Sequence, residues 1–189
     1  MTNFLLMLSL SLLLLPACGK TEQKKPAPLT TVTDHHGRPA ESQSPYYYGL
    51  IEEYRTTLAD DPNNLSALVA LGNAYFDSHQ WKKAIAVYEH ALRVDPHHSD
   101  VRTDMGTALR NLGMTDRALA EYRLALEHDP SHLNARYNMG IILAYDKKDV
   151  RSAIRLWEEV LNIAPNHPQA EEMRAAIAAF HTAHTKGVK

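Results

Sequence analysis

The apolar pattern divides the chain into three parts. Phe4 to Leu15 is an almost unbroken apolar run of twelve residues. From residue 19 to about 45 apolar residues are few, prolines recur and the charges are mixed. Beyond that point the same apolar and small residues return with a fixed period, punctuated by four Pro-containing junctions. These are Asp61-Pro62-Asn63-Asn64, Asp95-Pro96-His97-His98, Asp129-Pro130-Ser131-His132 and Ala164-Pro165-Asn166-His167. Successive prolines are separated by 34, 34 and 35 residues. A period of this length predicts a solenoid, in which a helix pair cannot bury its apolar face without a neighbour.

Within each period the positions correspond. The first carries Leu71-Gly72, Tyr75, Ala84, Tyr88, Ala91 and Pro96; the second Met105-Gly106, Ala118, Tyr122, Ala125 and Pro130. The third carries Met139-Gly140, Ala153, Trp157, Val160 and Pro165. Small residues let two helices of a pair approach closely. The aromatic four positions after the alanine is expected to fill the space toward the next pair. Proline stops the second helix, because its ring removes a donor and clashes with the preceding turn. Asn64 and Asn166 are placed to cap the following helices, as are Ser99 and Ser131. The third period has one extra residue, expected in the turn Asp146-Lys147-Lys148-Asp149.

This pattern resembles the tetratricopeptide repeat (TPR) over residues 65–98, 99–132 and 133–167. Departures are Leu68, Arg102 and Arg136 where the family often has Trp, and Val160 for a small Ala. The resemblance implies an all-α solenoid of helical hairpins, wound as a right-handed superhelix. Residues 46–61 read as the second helix of a truncated repeat, and 168–186 as a C-terminal capping helix, giving eight helices. In the family the first helix of each repeat lines a concave groove at its second, fifth, ninth, twelfth and neighbouring positions. Carried over, these are Val69, Asn73 and Phe76; Thr103, Thr107 and Arg110; and Tyr137, Ile141 and Tyr145. Apolar and aromatic anchors beside a few polar groups suit a peptide. Asn73 stands where the family often bonds ligand backbone, and Arg110 suits a ligand carboxylate. The family's clamp for a C-terminal carboxylate is missing: Val69, Asp104, Asn134 and Asn138 occupy its positions, and only Asn73 fits.

The N-terminal run has signal-peptide length, well short of the ~20 residues a spanning helix needs. It ends in Leu15-Pro16-Ala17-Cys18-Gly19, with the chain's single cysteine. This resembles the lipobox of bacterial lipoproteins, although Met1-Thr2-Asn3 carries no Lys or Arg and proline precedes Ala17. The resemblance implies cleavage after residue 17 and acylation of Cys18. Burial of acyl chains contributes ~0.8 kcal/mol per CH₂, so several chains on one residue hold firmly. Residues 18–45 then form a tether with a random-coil reach of roughly 30 Å.

Composition narrows the chemistry. Twenty Lys and Arg against 22 Asp and Glu give a net charge of −2, without the basic field of a nucleic-acid binder. One cysteine cannot form an intramolecular disulfide or a Cys-rich metal site. Eleven histidines raise the question of metal. His98, His132 and His167 recur at one repeat position, with loops expected ~16–20 Å apart, too far to share an ion. His181 and His184 share a helix face but have no third ligand nearby in sequence. We therefore expect no metal, no cofactor and, without nucleophile or phosphate-loop motifs, no enzyme.

The expected role is a membrane-tethered adaptor in the bacterial cell envelope, facing the periplasm and holding a protein or peptide partner. Gly19 lacks the Asp that marks inner-membrane retention in some bacteria, which favours the outer membrane. Lipoproteins of this kind resemble pilus-secretin pilotins and envelope assembly scaffolds. Small periplasmic members resemble apocytochrome-holding subunits of cytochrome c maturation, and a self-stacking homo-oligomeric scaffold is the other reading. Cys18→Ser should release the protein from the membrane fraction; unchanged fractionation would overturn the lipid anchor.

Overall fold

The computed structural model describes residues 45–186, so Cys18 and the segments around it lie outside the described residues. Eight α-helices follow one another with no strand among the described residues. They are α1 (Pro45–Asp60), α2 (Leu65–Asp77), α3 (Trp81–Val94), α4 (Ser99–Asn111), α5 (Thr115–His128), α6 (Leu133–Ile141), α7 (Val150–Ile163) and α8 (Ala170–Lys186). Helices α2/α3, α4/α5 and α6/α7 form three hairpins, and α3 packs on α4 as α5 packs on α6. Helix α1 covers α2 at one end, and α8 packs on α7 at the other.

Each hairpin closes on one contact. A Cβ added to Gly72 would lie 2.6 Å from Tyr88 Cδ1, one on Gly106 2.6 Å from Tyr122 Cε1, and one on Gly140 2.8 Å from Trp157 Cδ1. The aromatic of the second helix therefore lies over its own repeat's glycine, where we had expected it to fill space toward the next repeat. Tyr88 and Tyr122 have no exposed surface and Trp157 only 2%. Burying such a side chain contributes roughly 4–6 kcal/mol gross at ~25 cal/mol per Å². Ala84, Ala118 and Ala153 are fully buried beside them, and so is Val160.

The junctions repeat their own bonding. In the three Asp-Pro junctions the aspartate accepts the amide two residues on: Asp61 from Asn63 (3.3 Å), Asp95 from His97 (3.0 Å), Asp129 from Ser131 (2.9 Å). Such Asx bonding fixes the turn locally. Asn64 caps α2, its side chain accepting from the Ala67 amide at 3.0 Å. The later caps differ from expectation, because histidines take them. His98 Nδ1 accepts from the Val101 amide (3.4 Å) and His132 Nδ1 from Ala135 (3.1 Å). At the last junction His167 Nδ1 accepts from the Gln169 amide (3.3 Å), in the turn just before α8. Ser99 is the first residue of α4, and the Ser131 hydroxyl donates to Asp129 at 2.6 Å.

Where the family often has Trp, two arginines fasten the first helix instead. Arg102 donates to the Pro96 carbonyl at 2.9 Å and pairs with Glu121 at 3.0 Å. Arg136 repeats this with the Pro130 carbonyl and with Glu159 at 3.2 Å. A long side chain packs its stem and still reaches a carbonyl of the preceding junction.

The turns inside the hairpins share a left-handed middle residue: His79 (φ 58°), Gly113 (φ 76°) and Lys148 (φ 60°). The amide after it returns to the preceding helix, Gln80 to the Tyr75 carbonyl (2.8 Å) and Met114 to Leu109 (2.9 Å). This is the Schellman closure. In the third repeat the turn has the same length, and the extra residue is not in it. It lies one step earlier, where α6 widens into a π-helical segment, Ile142–Asp146. There the Lys147 amide reaches back five residues to Ile142 (2.9 Å), and Asp149 six to Leu143 (2.7 Å). A single inserted residue is absorbed as a π-bulge, which keeps the faces beyond it in register.

Glycine substitutions separate contact from propensity. Gly106→Ala should lower stability by ~1–3 kcal/mol through overpacking against Tyr122. Gly49→Ala on α1, with nothing within 4 Å of the new methyl, should raise it by up to ~1 kcal/mol. Urea unfolding of both variants checks the sign.

Candidate peptide-binding groove

The first helices of the hairpins, α2, α4 and α6, lie side by side with α1 and leave two adjoining clefts. One, of about 210 Å³, is lined by Tyr46, Tyr47, Leu50 and Tyr54 of α1 and by Ala70, Asn73, Ala74 and Asp77 of α2. The other, of about 310 Å³, is lined by Asn73, Asp77, Asp100, Thr103, Asp104, His132 and Asn134. Asn73 and Asp77 line both, so the clefts adjoin, one with an aromatic wall and the other with an acidic one.

Hydrogen bonds fix its floor. The Tyr88 phenol donates to Asn73 Oδ1 at 2.7 Å, so the amide nitrogen is the part of Asn73 left for the groove. The buried Thr103 hydroxyl donates to the Ser99 carbonyl at 2.9 Å. His132 uses both ring nitrogens. Nδ1 caps α6 and Nε2 lies 2.9 Å from Asp100 Oδ1, so the bonds require the tautomer with its proton on Nε2. His167 repeats the arrangement one repeat later, its Nε2 3.3 Å from Asn134 Oδ1. Each of these two histidines thus ties the junction after a hairpin to that hairpin's first helix. Burial pulls the His167 pKa below the usual imidazole range.

Of the nine residues expected in the groove, the two clefts bring together Asn73 and Thr103. Thr107 is a neighbour, its hydroxyl 3.1 Å from the Tyr122 phenol and accepting from Asn138 Nδ2 at 3.3 Å. Val69 and Phe76 pack against the core, Phe76 edge-on to Trp81 with centroids 5.0 Å apart. Arg110 does not wait for a ligand carboxylate: its Nε lies 3.4 Å from Asp146 Oδ2 in the next repeat. Tyr137 donates to Glu172 of α8 at 2.9 Å, and Ile141 packs on the Trp157 cluster. Tyr145 is 48% exposed beside Phe180. The capping helix therefore closes the third repeat's share of the groove, which a rule for repeat positions alone does not foresee. The α1 aromatics and Asp77 and Asp100 were missed. The signal available was the family rule itself, since Asp100 stands at the second position of its repeat and Asp77 beside the twelfth of its own.

Buried phenols run beneath this face. Burial pushes Tyr122 up to about 12 and Asp104 adds to the rise, while the Thr107 bond and the Arg110 charge pull it down. Burial likewise raises Tyr88, with the charges of Asp104 and Asp77 adding to it. Among the described residues no group of three or more His, Cys, Asp or Glu side chains is arranged to hold a metal, and no helix is long and apolar enough to cross a membrane.

Stacked helical hairpins with a groove across their first helices define a helical-repeat binding module. Two family models, each described as Tetratricopeptide repeat, match residues 66–98 and 103–171, together just over half of the chain. The chain belongs to the tetratricopeptide-repeat family, whose members mediate protein–protein interaction, and neither match is to a catalytic family. Among solved structures it is similar to the crystal structure of MamA, with a TM-score of 0.61 and 20% identity, covering 76% of this chain and 92% of that one. That likeness is one of fold. No curated protein matches the chain.

A phenol whose pKa rises on folding contributes stability that is complete below pH 10 and is lost as pH climbs toward about 12, because only the unfolded chain ionises in that window. Tyr122→Phe should make the loss shallower, as read from urea midpoints across that range.

Proposed function

We propose that this chain is a membrane-tethered adaptor of the bacterial cell envelope: a lipid on Cys18 and the segment 18–45 hold the solenoid at a membrane surface, and the groove captures a segment of a partner protein. The observation that carries the reading is the pair of adjoining clefts between Tyr46 and Asn134, with an aromatic wall and polar lining, in a family of interaction modules. The lipobox-like Leu15-Pro16-Ala17-Cys18 supports the tether. Confinement raises the effective concentration of captured partners, so that modest groove affinity suffices at the membrane. The solenoid faces the periplasm in this reading, and Gly19 favours the outer membrane.

A second reading rests on the ends of the solenoid. Tyr48 on α1 is 60% exposed and Ile163 at the end of α7 is 59% exposed, apolar surface suited to stacking one copy on another.

The test is a cross-linked pull-down of the full-length anchored protein, comparing wild type with Tyr46→Ala and Tyr54→Ala combined. A defined set of envelope proteins captured by wild type and lost from the variant is the expected outcome. Prey retained by the variant would place binding outside the groove. Recovery of the protein alone would favour the stacking scaffold.

A further inference from the structure

We propose that α8 is a cover that loosens in mild acid, with His167 as its latch, and that its loosening opens Tyr137, Ile141 and Tyr145 to a segment of the partner. The proposal rests on the groove reading above and adds the regulation of that groove.

The cover fits closely. Glu172 on α8 takes the Tyr137 phenol at 2.9 Å. Phe180 lies nearly parallel to Trp157, centroids 6.5 Å apart, and 5.9 Å from the Tyr145 ring. Met173 is buried, and the void left among Tyr137, Tyr145, Trp157, Glu172, Met173 and Ala176 is only about 10 Å³, room for no more than a water. A ligand side chain reaches these positions only when α8 moves. Helices α4 and α6 are each packed between neighbours, whereas among the described residues no helix lies beyond α8. Its departure therefore breaks one interface rather than two, and local opening of this kind is ordinary at the end of an array.

The latch is a hydrogen bond that only the neutral imidazole makes. His167 Nδ1 accepts from the Gln169 amide (3.3 Å), and the Gln169 carbonyl in turn accepts from the Met173 amide (3.0 Å) at the start of α8. With Nε2 facing Asn134 Oδ1 at 3.3 Å, the bonds place the ring proton on Nε2. A second proton, on Nδ1, would point at the Gln169 N–H, donor against donor. Burial and the positive end of the α8 dipole both disfavour a cation there. The surrounding groups do not offset this. Asn134 is neutral, and the Tyr137 ring, 5.9 Å away, gives its phenol to Glu172. Glu171 is bonded to Arg174, which also donates to the Pro165 carbonyl at 2.7 Å. His132 differs at this point, because Asp100 at 2.9 Å would pair with its charge. The His167 pKa lies below the ordinary imidazole value of 6.5, so its hold on α8 is complete above that value and weakens as pH falls below it.

Hydrogen–deuterium exchange of the full-length protein in detergent micelles, at about pH 7.5 and 5.5 and corrected for the intrinsic pH dependence of exchange, reads the opening of α8. Ordinary carboxylates stay ionised across this range. A proton taken up only by the released form tilts the equilibrium up to about tenfold one unit below the ordinary imidazole value. Exchange in α8 should therefore rise severalfold at the lower pH, while α2, capped by Asn64 with a side chain that does not titrate, should not change. His167→Asn keeps an acceptor and removes the titration, so its α8 should exchange alike at both values; a thermal melt at about pH 7.5 establishes that the variant is folded. Wild-type α8 exchange unmoved by pH, or a rise that persists in His167→Asn, would overturn the latch. No partner enters this measurement, so its failure leaves the adaptor reading standing. In the pull-down, capture by wild type should increase at the lower pH. Equal capture at both values would overturn the cover's part in binding, whereas no capture at either is the failure of the adaptor reading itself, and of this proposal with it.

Discussion

The contact between a glycine on the first helix of each hairpin and an aromatic ring on the second is the constraint on which the rest of the structure depends. With no Cβ at Gly72, Gly106 or Gly140, the rings of Tyr88, Tyr122 and Trp157 lie against helix backbone, and the two helices close to a distance no larger residue permits. Alanines at 84, 118 and 153 complete the narrow seam. The same phenols then reach through the first helix to its concave side. Tyr88 holds Asn73 and Tyr122 sits beside Thr107. Core and groove are therefore the two ends of one side chain, which is why the groove floor is polar and ordered before anything binds.

What joins one repeat to the next is a second set of polar contacts around the proline junctions. Arg102 and Arg136 bond the Pro96 and Pro130 carbonyls, while His132 caps α6 and His167 bonds the Gln169 amide before α8, the other nitrogen of each reaching the first helix of the hairpin before it. These residues stand at helix ends, where the backbone leaves groups without intrahelical partners. The recurrence of histidine in the junctions is explained by capping and requires no metal.

Much of this was legible along the chain. The proline spacing, the Gly, Ala and aromatic positions and the flanking helices follow from a period and from residue sizes, which are local properties. The site was less legible. Arg110 and Tyr137 fall at groove positions by count, yet an aspartate from the next repeat and a glutamate from α8 already hold them. Asp77 and Asp104 neighbour the twelfth and fifth positions of their repeats, within the counting rule, yet were not carried into the groove. Position in a repeat says which way a side chain leaves its helix, but not what stands opposite, because the opposing helix comes from another period.

The sequence by itself determined the helical hairpins, their number and their breaks, because 34-residue periodicity, proline and glycine act through the backbone within one repeat. Only the tertiary structure decided where the inserted residue of the third repeat went. A π-helical bulge at Ile142–Asp146 keeps the Lys147–Asp149 turn like the others, since packing against α7 fixes the turn more strongly than the helix interior. Only the tertiary structure, too, gathered Asp77, Asp100 and Asp104 beside the α1 tyrosines. Residues more than twenty positions apart become one surface only when neighbouring repeats stack, and stacking is a property of shape and burial between repeats, which no single period contains.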